Sequence, residues 1–211
     1  MEIYTCILII LSLIFIFKIY QLKEPFVNYK KVCNQIDKRC YKIVESFPSH
    51  TKASEILAYL NQFSIKLMRH LRNKYLYTPN SNNYRKNMIK HLLFNYNPDA
   101  LIENAPLSTV NTSYVENKGE VFAICLRDRT TGKNNFLSLH ILEFVVLHEM
   151  AHLTTSTIGH NKDFWINFKI LLHEANAINL HKPIDYKKHP INYCNLIVDY
   201  NPYFDAAIPL L

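Results

Sequence analysis

Apolar positions follow three spacings along this chain, and each spacing predicts a different kind of element. Residues 3–17, IYTCILIILSLIFIF, are one uncharged run, which reads as a membrane-spanning helix. Lys18, Ile19 and Tyr20 extend it to residues 3–20, because a lysine stem can snorkel and a tyrosine suits the interface. From 28 to 97 the spacing is helical. Residues 28–47 read as a basic amphipathic helix. A second helix covers 51–75, capped by Thr51 with Ser54 and Glu55 in its first turn. Its apolar positions Ile56, Tyr59, Leu60, Phe63, Leu67 and Leu71 fall three or four apart. After a Pro79 and Asn-rich loop, a third helix runs from 84 to 95, with Ile89, Leu92, Leu93 and Tyr96 on one side. Pro98 and Pro106 bracket a connector.

Beyond residue 108 the pattern shortens. Residues 113–116 and 120–127 are rich in strand formers, and Asn117-Lys118-Gly119 between them is a turn signal, which predicts a hairpin. Thr131-Gly132 opens a polar loop. Residues 135–154 read as a buried apolar helix, and 162–178 as a second one with Phe164, Trp165, Phe168, Leu171 and Leu172 inward. The tail is loop-rich, with a short strand near 196–200. The fold class is therefore α+β: a helical part (28–97), a core with a small antiparallel sheet (108–178) and a tail (179–211). These form one domain, 21–211, behind a transmembrane anchor at 1–20.

Charge sharpens the topology. The net charge is +7 over 211 residues. The first 100 residues hold 15 Lys/Arg against 6 Asp/Glu, and the remainder 9 against 11. Such asymmetry does not describe a uniformly basic nucleic-acid binder. Only Glu2 precedes the apolar run and no small-x-small cleavage site follows it, so it reads as an anchor and not a cleaved signal. Lys18, Lys23, Lys30, Lys31, Lys38 and Arg39 follow the run. By the positive-inside rule the body then faces the cytosol. Cys33, Cys40, Cys125 and Cys194 show no CxxC and no dense framework, which reads as reduced thiols. The sequon Asn111-Thr112-Ser113 is a weak signal against that compartment.

The chemistry lies in His148-Glu149-Met150-Ala151-His152, an HExxH within the apolar helix. Histidines at i and i+4 share a helix face and can bind one ion. Glu149, next to the first ligand, is placed as general base toward a water activated by that ion. Ten His and ten Glu in this chain would give about 0.02 such motifs by chance. Burying two imidazoles and a carboxyl together without a metal would be costly.

A catalytic zinc site needs a third protein ligand and one open position. His160 follows His152 by eight residues and is preceded by Gly159, one of three glycines in the chain. A glycine there suits a chain that leaves a helix and turns back. Glu174, on the next helix, is the rival ligand, and Asp163 reads as a helix cap or imidazole partner. Metzincin spacing would put a histidine at position 158, which is Ile158, and no methionine follows His160. His173-Glu174 imitates the motif, but position 177 is Ala177.

These residues, together with Gly159-His160-Asn161-Lys162-Asp163-Phe164-Trp165, resemble the WLM/SprT-like group of zincin metallopeptidases over residues 108–178. Cys125-Leu126-Arg127 and Tyr193-Cys194 are similar to the corresponding stretches of small membrane-anchored WLM-like proteins of large DNA viruses. The resemblance implies a compact zincin-like domain, one zinc ion and peptide-bond hydrolysis.

The expected function is a membrane-anchored zinc metallopeptidase acting on a protein or peptide. His148, His152 and His160 are the expected metal ligands and Glu149 the catalytic base. Candidates for an oxyanion or substrate contact are Tyr193 and Arg127, with Tyr186 and His189 behind them. The substrate is expected to pair with an exposed edge of strand 120–127. Phe164 and Trp165 read as core packing. Two alternatives stand beside this reading. One is a protease acting on DNA-bound proteins, for which the lysines of 28–90 would supply the nucleic-acid contact. The other is a scaffold protein with an inactive zinc site, which would have no need of Glu149.

Overall fold

Alternation, not helical spacing, governs the first described stretch. The structure is a computed structural model that describes residues 27–79, 82–104, 112–128 and 135–211. The apolar run 3–17, Asn111 and Thr131-Gly132 lie outside these residues. Where 28–47 reads as a helix, the chain forms strands β1 (Tyr29–Cys33) and β2 (Cys40–Val44), paired antiparallel. Tyr41 and Ile43 are 1% and 0% exposed, whereas Lys42 between them faces solvent. Lys42 is thus the outer position of a period-two pattern, while Lys30 and Lys31 lie side by side and exposed on β1.

Cys33 and Cys40 are cross-strand partners in this hairpin and are joined by a disulfide. A second disulfide joins Cys125 to Cys194. The reading of four reduced thiols is thereby corrected: residues far apart in sequence, or set opposite one another by a hairpin, need no CxxC spacing to meet.

Helix α1 (His50–Tyr75) follows and buries Ile56, Leu60, Phe63, Leu67 and Leu71. It begins behind Ser49, a left-handed residue without a side-chain cap bond, so Thr51 is inside the helix and not its cap. Helix α2 (Asn83–Asn95) is capped by Asn82, whose side chain accepts from the backbone N–H groups of Tyr84 and Arg85. The connector between Pro98 and Pro106 holds a strand, β3 (Leu101–Glu103), too short to show periodicity. Then come β4 (Tyr114–Glu116) and β5 (Val121–Ile124), the expected hairpin. Asn117, Lys118 and Gly119 turn it, all with positive φ. A Cβ on Gly119 would fall 1.9 Å from the Asn95 carbonyl oxygen, so the turn admits no side chain there.

The sheet order is β1-β2-β3-β5-β4. Pairs β2/β3 and β3/β5 are parallel and the outer pairs antiparallel, so the sheet is mixed, not the small antiparallel one expected. The β2–β3 connection contains α1 and α2, the helical crossover that parallel strands require. Strand β5 is interior, flanked by β3 and β4. The expectation that strand 120–127 offers its edge to a substrate is corrected: β4 is the edge strand.

A two-residue ladder, β6 (Arg127–Asp128) with β7 (Asn135–Phe136), precedes α3 (Leu139–Leu153). Helix α3 is buried over most of its length and packs on α1, α2, α4 (Lys162–Ala177) and the β4–β5 hairpin. The tail folds as a hairpin of β8 (Ile191–Tyr193) and β9 (Leu196–Val198) and a single 3₁₀ turn, Pro202–Phe204. Among the described residues, no helix is long and apolar enough to cross a membrane.

Candidate metal centre

The central helix ends where its sequence and its neighbours stop it. Past Leu153, the Asn95 side chain donates to the Leu153 carbonyl at 2.8 Å, and the Asn167 side chain donates to the Thr154 hydroxyl at 2.8 Å. The first bond satisfies an otherwise orphaned carbonyl at the helix end, and the Thr154 hydroxyl itself donates to the Ala151 carbonyl. The chain then turns back through Gly159, at φ +83°, with open space where a Cβ would lie. The glycine is required by the backbone angle and not by crowding. Asn161 next caps α4 by accepting from the Phe164 N–H.

This turn carries His160 back to α3. One nitrogen each from His148, His152 and His160 lies within 4.8 Å of the others, and the Nε2 atoms of His148 and His160 are 3.0 Å apart. Phe164 sits beneath all three imidazoles, with ring centroids at 4.9, 4.3 and 4.6 Å from His148, His152 and His160. Burial, with the neighbouring imidazoles, holds His148 down to about 3 and His152 to about 4, and burial also lowers His160. Neutral imidazoles are the form that donates a lone pair to a metal.

Glu149 projects from the same helix, buried, and lines the same cavity as His148 and His160. Desolvation pushes its carboxyl up to about 8. A carboxyl so placed has little around it that stabilises a charge, and a nearby cation would favour the carboxylate.

The other candidates separate clearly. Tyr193 is buried and lines the cavity. Its hydroxyl donates to the Cys125 carbonyl at 3.0 Å and shares a hydrogen bond with the Ser113 hydroxyl, which accepts from the Cys125 N–H. Arg127 is not brought to the cavity. It is 1% exposed, its Nε donates to Glu103 at 2.6 Å, and its guanidinium lies over the rings of Phe47 and Phe136. Glu103 in turn accepts from the Val44 N–H. Arg127 therefore ties the sheet to the β6–β7 ladder, and its reading as an oxyanion or substrate contact is corrected. Tyr186 packs against Phe144, away from the cavity lining. His189 lies in a surface turn, its N–H bonded to the Asp185 carbonyl.

Glu174, the rival ligand, is held by Lys74, Tyr75, His70 and Arg85 on α1 and α2. Asp163 is exposed in the first turn of α4, whose cap is Asn161. Sequence reasoning did not find the cavity's other walls. Trp165 of α4 meets Tyr200 edge to face at 5.4 Å, and Leu196 and Val198 of β9 also line the cavity. Their signal was faint: a three-residue strand in a loop-rich tail.

The profile of the WLM domain family matches residues 99–190. An uncharacterized protein of Acanthamoeba polyphaga mimivirus is 32% identical over 161 residues, covering 74% of this chain and 76% of its own length. An uncharacterized protein of Invertebrate iridescent virus 6 is 35% identical over 82 residues, 39% of this chain and 44% of that protein. One of Invertebrate iridescent virus 3 is 32% identical over 96 residues, 46% of this chain and 57% of that protein. No solved structure matches.

Proposed function

The chain belongs to the WLM domain family, and from that premise we propose that it is a zinc metallopeptidase with Glu149 as its general base. The family is associated with peptidase activity and is metal-dependent in general. The observation that carries the reading for this chain is the convergence of three neutral imidazole nitrogens within 4.8 Å, with a buried carboxyl beside them.

The donor set fits the ion. Three histidines leave one position of a tetrahedral zinc for water or substrate. Nitrogens on such an ion sit about 3.3 Å apart, near the spacing of His148 and His160. When bound, zinc would supply Lewis acidity toward water and the scissile carbonyl. Glu149 takes the proton from the attacking water and passes it to the leaving amine. The low exposure of the cavity floor keeps that proton on Glu149 between the two steps. Tyr193 is the one oxyanion candidate of the four that lines the cavity, and it serves by turning its O–H from the Cys125 carbonyl toward the developing charge. An extended substrate lies along edge strand β4, whose neighbours Thr112 and Ser113 reach the cavity.

An anchor over residues 3–20 belongs to the same proposal. The side of the membrane then rests on the flanking lysines and arginines alone, since paired cysteines no longer argue for a reducing compartment.

The test uses purified protein. Bound metal is measured, then cleavage of casein and of a peptide pool, in wild type and Glu149→Gln. The expected result is one zinc in both proteins, with cleavage lost by at least about a hundredfold in the variant. Wild type without metal, or equal activity in both, would overturn the proposal.

A further inference from the structure

Beside the three histidines lies a cavity of about 320 Å³. Its floor is Phe144 and Phe168, with ring centroids 5.2 Å apart, and Phe168 also meets the His148 ring at 5.3 Å. Its sides are the Trp165–Tyr200 pair and Leu196 with Val198. The apolar walls therefore run directly up to the metal-ligating group. The cavity is at the small end of the roughly 300–1,000 Å³ typical of ligand sites, which suits one large side chain and not a folded segment. Asp199 stands exposed among the lining residues and adds a negative charge there.

From this juxtaposition we infer that the cavity is a specificity pocket for a large apolar side chain, of the leucine or phenylalanine kind, next to the scissile bond. Burying such a side chain against Phe144, Phe168 and Val198 removes apolar surface from water. An acidic side chain would lose hydration and meet Asp199, so it is disfavoured twice. Alanine gains little because it leaves most of the cavity unfilled. Trp165, Val198 and Leu196 are the residues that set the preference. The inference rests on the peptidase reading only for taking the ligand to be a peptide.

The chain carries a single tryptophan, and it is Trp165 in this wall, so its emission reports occupancy without any turnover. Capped tetrapeptides Ala-Ala-X-Ala, with X as Phe, Leu, Ala or Asp, are titrated into the Glu149→Gln protein. The expected result is a shift in Trp165 emission, with Phe and Leu peptides bound at least about tenfold more tightly than Ala and Asp bound weakest. Val198→Trp fills the cavity and abolishes the advantage. Leu196→Trp, at a site already 40% exposed, does the same without burdening the fold. In these two variants peptide affinities are measured by calorimetry. Equal affinity for Ala and Phe, no binding by any peptide, or a preference that survives both variants overturns the inference. If the preference holds while zinc-loaded wild type cleaves neither these peptides nor casein, the peptidase reading fails and the apolar-side-chain site stands.

Discussion

The Nε2 atoms of His148 and His160 lie 3.0 Å apart, although twelve residues separate them along the chain. With its ring proton on Nε2 either imidazole can donate to the other, and with both protons on Nδ1 the two lone pairs can be shared by one cation. What brings them together is the end of α3, the left-handed Gly159 and the start of α4.

Gly159→Ala should therefore loosen metal binding as well as the fold. A side chain at φ +83° costs about 1–2 kcal/mol, and the surrounding space is open, so no clash is added. Zinc affinity is expected to fall roughly tenfold in a chelator competition, while the melting temperature moves by a few degrees. Gly159→Asn, which tolerates the left-handed region better, should lie between.

Phe164→Ala should damage both. The ring is fully buried under three imidazoles, and removing a buried phenylalanine costs about 3–5 kcal/mol. Urea unfolding should show that loss, and zinc titration should show weaker binding, because the histidines lose the surface that fixes their rings. Phe164→Leu should restore most of the stability and less of the affinity.

Glu174 gives a pH signature unrelated to the metal centre. Burial acts to raise its carboxyl, but hydrogen bonds from Lys74, Tyr75 and His70 outweigh it and the net shift is downward. A folded-state value below the unfolded one stabilises the protein above the unfolded value of about 4.3, and that contribution is lost as pH falls through the folded value. Glu174→Gln should cost about 3 kcal/mol at pH 7. Its deficit against wild type should shrink in urea titrations at lower pH, as the native carboxyl becomes protonated.

The Cys125–Cys194 bond closes a loop of 69 residues, for which chain entropy predicts about 4 kcal/mol. It fastens the β8–β9 hairpin, with Tyr193 and the cavity wall, to the end of β5. Cys194→Ser should lower the melting temperature by roughly 10 °C and reduce Trp165's response to apolar peptides. The Cys33–Cys40 bond spans only 7 residues, so Cys33→Ser should cost less. Mass spectrometry after alkylation of the unfolded protein, with and without reductant, checks that both bonds are present.

What the sequence determined by itself was local and periodic. Helices α1 and α4 repeat their apolar residues over four turns or more, enough for the 3.6-residue period to declare itself. The β4–β5 hairpin announced its turn through Asn117-Lys118-Gly119. The pairing of His148 with His152, and Glu149's place beside them, follow from helix geometry alone. Even the return of His160 was legible, because a scarce glycine marked the residue between α3 and α4 whose backbone turns left-handed.

Only the tertiary structure decided the rest, and in each case the reason is a contact between distant residues. Lys30, Lys31 and Lys42 fit the outside of a helix or of a sheet equally well, and pairing of β2 with β3 and packing on α1 chose the sheet. A three-residue strand such as Leu101–Glu103 has no period to read, and exists because β2 and β5 flank it. Arg127 carries the same charge at an active site or in a core, and Glu103, Phe47 and Phe136 hold it in the core. The cavity is built from α3, α4 and a hairpin near the end of the chain, so its shape and preference arise only when those pieces meet.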